Sequence, residues 1–457
     1  MHARIRGFGR VLTAVVLVAL ALGGGPGRTP ATATAQVASV AEPTLSAEAA
    51  ATFDAVAQRA AELRGLTPRG EVERRVLSPE QLRARMIADL DTPENLESTE
   101  KSRRLMVALG LLAPDADLYR LELDFRSGAV LGQYDPEAKQ LFVISGATAL
   151  GPRERTTIAH EYTHALQDQN YDLQALMPRN SGNSDRTLAV SALVEGDAMI
   201  TEQLYQQHAL SRAEREETRR QERTSSGGPD VDSMPLVLRE ESYFPYTAGP
   251  AFIVELLGED AVREAVQRGT GYGAHVNPLF QNPPTSTAQV LHPEKYRQGI
   301  QPVQITLPDL AAALGNGWEA LDQDVLGEID HRILIAQYLD RDTAERAADG
   351  WAGDRFALLG RGDQTAVAVS TRWDTLADVD EWLAAYREAI QARYGASLRV
   401  LADAPDRVVW ETPDGVQILR ADATSTSLAI APTEPEATRL EQALAGASLA
   451  AAPSPGR

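Results

Sequence analysis

The chain has 457 residues, with 44 basic and 64 acidic side chains and no cysteine. At roughly 150 residues per domain its length implies two or three domains, and its 43% hydrophobic and 24% charged residues exclude a disordered chain and a multi-span membrane protein. The missing cysteines exclude disulfides, thiolate metal sites and a Cys nucleophile, and the net charge of −20 leaves no basic stripe for nucleic acid or an anionic membrane.

Residues 1–10 hold three arginines and no acid, Val11–Leu22 is apolar apart from Thr13, and small and polar residues run on to Ala33-Thr34-Ala35. This basic, apolar, small-residue order marks 1–35 as a secretory signal peptide, followed by a flexible exit segment. The 12-residue apolar run is shorter than the roughly 20 residues a spanning helix needs. The mature chain therefore has no membrane span unless this segment is retained as an anchor. In either case the rest is expected to be secreted or otherwise outside the cytoplasm, with 40 basic against 64 acidic residues.

Apolar spacing predicts helices over Ala47–Arg64, from Ser78-Pro79-Glu80-Gln81 to Leu90, and from a cap at Ser98 to Leu112. Ala129–Tyr134 and Gln140–Ile144, with a Pro-containing turn between them, read as a hairpin. Helices follow at Thr156–Gln169, at Leu188 to about Arg223 as one helix or two, and at about Tyr246–Leu257. The last part of the second of these is strongly charged and reads as a solvated face, and Ser225–Pro229 as an exposed loop. Pro278–Pro293 is irregular, and Ala311–Leu321 and Gly327–Leu339 are helical. From Trp351 the texture is α+β, with short strands at 356–359, 366–371, 398–402, 407–411, 416–420 and 427–431 and helices at Val379–Tyr394 and Glu434–Ala445.

Within the helix at 156–169 lies His160-Glu161-Tyr162-Thr163-His164. Positions i and i+4 share one helix face, so two imidazoles can reach one metal ion, while Glu161 is turned to reach a water molecule beside it. Histidine is rare here, 7 in 457, and the motif sits among apolar residues. A third ligand has to come from elsewhere. His208, His275, His292 and His331 remain, with Asp168, Asp172, Asp185, Glu195, Asp197 and Glu202 among the acids. Glu195 stands out because it lies in the apolar run Ala192-Leu193-Val194-Glu195-Gly196-Asp197-Ala198, where a carboxylate needs a partner. Asp197 could then orient a ligand histidine. His292, Tyr243 and Tyr246 are candidate donors to a developing oxyanion, with His292 preferred for its place in an irregular segment.

His160-Glu161-x-x-His164 with a Glu on a later helix resembles the gluzincin group of zinc metallopeptidases, the thermolysin-like clan. The run His-Glu-Tyr-Thr-His-Ala-Leu-Gln-Asp-Gln, Glu-Gly-Asp-Ala at 195–198, Pro-Pro-Thr-Ser-Thr at 283–287 and Leu-His-Pro-Glu-Lys-Tyr at 291–296 look like motifs of secreted bacterial and archaeal proteins with minimal gluzincin cores. The resemblance covers about residues 120–300. It implies that His160, His164 and Glu195 hold Zn2+ and that Glu161 is the general base. It also implies that a polypeptide substrate adds to the hairpin at 129–144 as an extra strand. Thermolysin-like enzymes carry an Asp four residues after the ligand Glu, where this chain has Met199, and the third His of metzincins is replaced by Asn170.

The expected fold is α+β. A signal peptide (1–35) precedes an N-terminal helical segment (36–118) that could be a steric, inhibitory propeptide, and then a zincin-like core (119–300). A helical connector (301–345), a C-terminal α+β domain (346–449) and a disordered tail (450–457) follow. The expected function is a secreted zinc-dependent metallopeptidase. The alternative is a non-catalytic zincin-like protein that binds metal or peptide at the cell surface.

Overall fold

The computed structural model describes residues 46–129, 132–144, 150–178, 182–224 and 233–449. The signal peptide, the loop at Ser225–Pro229 and the tail from 450 lie outside these described residues. The fold is mixed α+β, mainly helical to about residue 300 and β-rich beyond. No helix among the described residues is long and apolar enough to cross a membrane.

The first helix, Ala47–Arg64, starts where the Ser46 side chain accepts from Ala49 N–H and stops at Gly65, whose φ of 72° needs no Cβ. Its stripe of Phe53, Val56, Ala60 and Leu63 is buried against the motif helix, Pro152–Tyr171. Phe53 meets Tyr162 edge-on at 6.5 Å. Helix Pro93–Leu109 is capped by Thr92, not by Ser98, which is buried inside it.

The hairpin forms, with strands Gly132–Asp135 and Gln140–Ile144. Its first strand is shorter than expected because a helix, Leu118–Ala129, occupies the preceding residues. The sequence reading missed Glu73–Leu77, which pairs in parallel with Gln140–Ile144. Only Val76 and Leu77 in that stretch are apolar, so it carries no strand signal of its own. The sheet order is Glu73–Leu77, Gln140–Ile144, Gly132–Asp135, which leaves the strand beside the motif helix on the outside. The N-terminal segment thus supplies a strand and a packing helix to the same core as the motif helix.

The stretch 188–223 is two helices, Ser184–Ala209 and Arg212–Thr224. Helix Leu236–Leu257 begins ten residues before Tyr246 and contains Pro245 and Pro250, so packing overrides two helix breakers. Gly315 and Gly317, both at positive φ, limit the helix expected at 311–321 to Leu310–Leu314.

After that break Glu319–Asp324 becomes the edge of a seven-stranded antiparallel sheet. The others follow in the order Trp351–Arg361, Gln364–Trp373, Ser425–Ala431, Gly415–Asp422, Arg407–Thr412 and Arg399–Ala404. Within the expected connector, Glu319–Asp324 thus joins the C-terminal sheet. Alternate residues serve opposite faces. Phe356 and Leu358 pack with Ile333, Val379 and Trp382, whereas Ala357 and Leu359 pack with Leu310, Leu314 and Leu440.

The two units meet at the start of helix Ser184–Ala209. Ser184 N–H donates to Asp324 at 2.9 Å, and Asp185 Oδ1 accepts from Thr287 N–H at 2.9 Å. Thr287 Oγ1 accepts from Ile329 N–H, and Lys295 Nζ donates to Trp351 O and to Asp374.

Candidate metal centre

Pro152 opens the motif helix in its first turn, and Asp172, at φ 58°, closes it. Residues 158–168 are buried without interruption, so His160, Glu161 and His164 all face protein. These three form the buried group, among the described residues, whose possible ligand atoms lie within 4.8 Å of one another. Glu195, from helix Ser184–Ala209, comes closer still. Its Oε2 is 3.2 Å from His160 Nε2 and 3.4 Å from His164 Nε2, and the two Nε2 atoms are 3.1 Å apart.

The outer partners fix the tautomers. His160 Nδ1 meets Glu202 Oε2 at 3.1 Å, and a carboxylate oxygen only accepts. His164 Nδ1 meets Gln167 Oε1 at 2.9 Å. The Gln167 amide cannot be turned round, because its NH2 donates to Val194 O at 2.9 Å and to Asp197 Oδ2 at 2.7 Å. Each Nδ1 therefore carries the hydrogen, and each Nε2 of a neutral ring points a lone pair inward. Two nitrogen lone pairs and one carboxylate oxygen thus converge with no donor among them. A tetrahedral ion with ligands at about 2.0–2.1 Å sets them about 3.3 Å apart, which is the spacing found, so this donor set fits a zinc-type cation. Without an ion, protons take its place. Burial pulls the His160 ring down, but hydrogen bonds to Glu195 and Glu202 outweigh it and hold it up at about 10. Burial raises the Glu195 carboxyl, but His164 and His160 outweigh it and hold it down at about 2.

Glu161 faces the same space. Its Oε2 accepts from Tyr134 N–H at 2.8 Å, so the outer strand aims it, and its Oε1 is buried without a hydrogen-bond partner. Burial lifts its pKa against the pull of His160 and His164. Gly132 lies flat on the motif helix, where an added Cβ would stand 2.6 Å from Thr157 Cγ2 and 3.1 Å from Glu161 Cγ. The Tyr246 hydroxyl is also buried and unpartnered. Burial comes first in raising its pKa, followed by the charges of Glu195 and Glu161 and by the closeness of the Glu195 carboxylate to the hydroxyl.

The other sequence candidates fall elsewhere. His292 donates to Glu328 Oε1 at 2.8 Å and lies 3.2 Å from Arg332 Nη2, with none of the four central residues among its partners. Its neighbour Thr287 docks at Asp185, ten residues or about 15 Å along the helix from Glu195. The Pro-Pro-Thr-Ser-Thr and Leu-His-Pro-Glu-Lys-Tyr stretches join the two units. Tyr243 packs edge-on to Phe125. Asp197 touches neither ligand histidine and reaches His164 only through Gln167. The sequence reading gave no role to Gln167 or Arg64, and left Glu202 as one acid among several.

Residues 315–441 are similar to the family described as Domain of unknown function (DUF8575), a match that covers the C-terminal sheet and leaves the candidate metal centre outside. No curated protein and no solved structure matches the chain.

Proposed function

We propose that this chain is a zinc-dependent metallopeptidase of gluzincin type that works outside the cytoplasm. The observation that supports the reading is the convergence of His160 Nε2, His164 Nε2 and Glu195 Oε2 at 3.1–3.4 Å, with no hydrogen-bond donor among them. These three atoms would hold the ion. Bound Zn2+ supplies Lewis acidity to the scissile carbonyl and to the attacking water.

The chain's own groups do the rest. Tyr134 N–H holds one oxygen of Glu161 and leaves the other for water, and burial makes that carboxylate a stronger base. Glu161 takes the proton of the attacking water and gives it to the leaving amine. Tyr246 supplies a hydroxyl to the oxygen on which charge develops. The outer strand Gly132–Asp135 pairs with substrate backbone and gives affinity without strong sequence demand.

The four central residues are at most 2% exposed, and this favours a second reading, a cell-surface protein that binds metal without turnover. One assay separates the two. The chain lacking residues 1–35 is incubated with an unfolded protein mixture beside Glu161→Gln, and the zinc content of both is measured. A peptidase cleaves only as wild type, stops with a chelator, and keeps its zinc in the variant. Full zinc content with no cleavage by either protein supports the binding reading. Loss of zinc in Glu161→Gln would remove Glu161 from the role of base.

A further inference from the structure

Beyond Gln167, the hydrogen-bond chain continues to the N-terminal helix. Asp197 Oδ2 accepts from Gln167 Nε2 and from Arg64 Nε, each at 2.7 Å. Both members of the Arg64–Asp197 pair have fully buried side chains. Arg64 Nη1 donates to Asn277 at 2.8 Å, and its guanidinium lies 5.7 Å from the Tyr272 ring centroid and 5.6 Å from that of Phe280. The cation is therefore held on several sides, and among the described residues it is the ion-pair partner of Asp197.

Each link of this chain has a defined polarity. Arg64 only donates. Asp197 is held in place as an acceptor by the Arg64 Nε–H that faces it. Asp197 and Val194 O together require both hydrogens of the Gln167 NH2, which forces Gln167 Oε1 toward His164 Nδ1. That contact keeps the hydrogen on Nδ1 and the lone pair on Nε2. Without Arg64 the Asp197 carboxylate is free to turn away from Gln167, one of the two acceptors is lost and the amide can rotate. The Gln167 NH2 then faces His164 Nδ1, the ring hydrogen moves to Nε2, and His164 can no longer act as a ligand.

We infer that Arg64 is a positioning residue of the metal centre, acting through Asp197 and Gln167 to fix the ligating tautomer of His164. This deepens the proposed metallopeptidase reading and rests on it. It makes the N-terminal helix a required part of the centre, opposite to an inhibitory segment whose removal would activate it. It also gives the sequence Glu195-Gly196-Asp197 two separate duties, a ligand and the anchor for a different ligand's support.

The test is Zn2+ affinity of the chain lacking residues 1–35, by competition with a chromogenic chelator. The proteins are wild type, Arg64→Met, Asp197→Asn, Gln167→Met and the double variant Arg64→Met/Gln167→Met, with metal-free thermal stability measured in parallel. Loss of an outer support of a ligand costs about 10–100-fold in affinity, so each single variant is expected to weaken Zn2+ by that factor. Because the residues act in series, the double variant should be no weaker than the worse single one. Gln167→Met leaves the Arg64–Asp197 pair intact, so it tests the last link even if Arg64→Met fails to fold, and unchanged affinity there overturns the inference. Folded Arg64→Met with wild-type Zn2+ affinity and only lower thermal stability would assign Arg64 to packing and overturn it as well. Wild type that binds no Zn2+ would sink the metallopeptidase reading together with this inference, an outcome distinct from wild type that binds beside variants that bind equally well.

Discussion

Glu202 lies seven residues after Glu195, two turns along, and so on the same face of the ligand helix. It meets His160 Nδ1 at 3.1 Å and is steadied by Gln206 Nε2 on its other oxygen at 3.1 Å. Glu202→Leu removes the acceptor with little change of volume. It is expected to lower Zn2+ affinity by about 10–100-fold while leaving the fold intact, as read by chelator competition and circular dichroism. This residue was legible in principle, since the spacing of a ligand Glu and a second acid at i+7 is visible in the chain. His160, Glu161 and His164 were readable because one helix holds all three. Glu195 was readable because its neighbours are apolar. Arg64 was not, since it ends an Ala-rich helix and finds Asp197 only through tertiary contact 133 residues away. His292 was picked for its irregular stretch, and a polar residue beside a proline there marks a docking seam as readily as a catalytic loop.

At the level of elements, the ligand helix and helix Leu236–Leu257 touch backbone to backbone beside Glu195. A Cβ on Gly196 would stand 2.5 Å from Gly249 C, and one on Gly249 would stand 2.0 Å from Ala192 O. This contact explains the glycine of the Glu-Gly-Asp-Ala run and brings Tyr246, three residues before Gly249, over the centre. Gly249→Ala should force the helices apart and cost about 1–3 kcal/mol of stability in urea unfolding. Zn2+ affinity should fall with it, because Glu195 moves. Unchanged affinity at reduced stability would show that the ligand helix holds its place without its neighbour. The helices with clean caps, such as Ala47–Arg64 and the one opened by Ser78-Pro79, were read from sequence with their ends in place. Leu236–Leu257 was cut short at Pro245 because local propensity carries no knowledge of the glycine contact that holds it.

Across the whole molecule, the seam between the core and the C-terminal unit contains a fully buried acid. Burial is the main reason the Asp185 carboxyl is pushed up to about 8, reinforced by Asp354 and Glu328 and opposed by its bonds from Thr287. The folded protein therefore holds a proton that the unfolded chain releases above its ordinary value near 3.8. The favourable contribution is full below that value and is lost as pH rises toward about 8. Asp185→Asn cannot ionise, so its urea midpoint should fall less between pH 6 and pH 9 than that of wild type. Equal falls would show that other groups set the pH response. The α+β class was legible from the switch in texture near Trp351, but the strands Glu73–Leu77 and Glu319–Asp324 were not, because each gains its meaning only from a distant partner. The seven-stranded sheet, by contrast, is built largely of neighbours in sequence. Four of its pairings close through two-residue turns, at 362–363, 405–406, 413–414 and 423–424. The candidate metal centre draws instead on residues from 64 to 246, and long chain closures are slow compared with local hairpins. A refolding chain is therefore expected to form these hairpins while Arg64 and Asp197 are still apart. Under the proposed peptidase reading, a newly made molecule has no completed site until that long-range contact has formed.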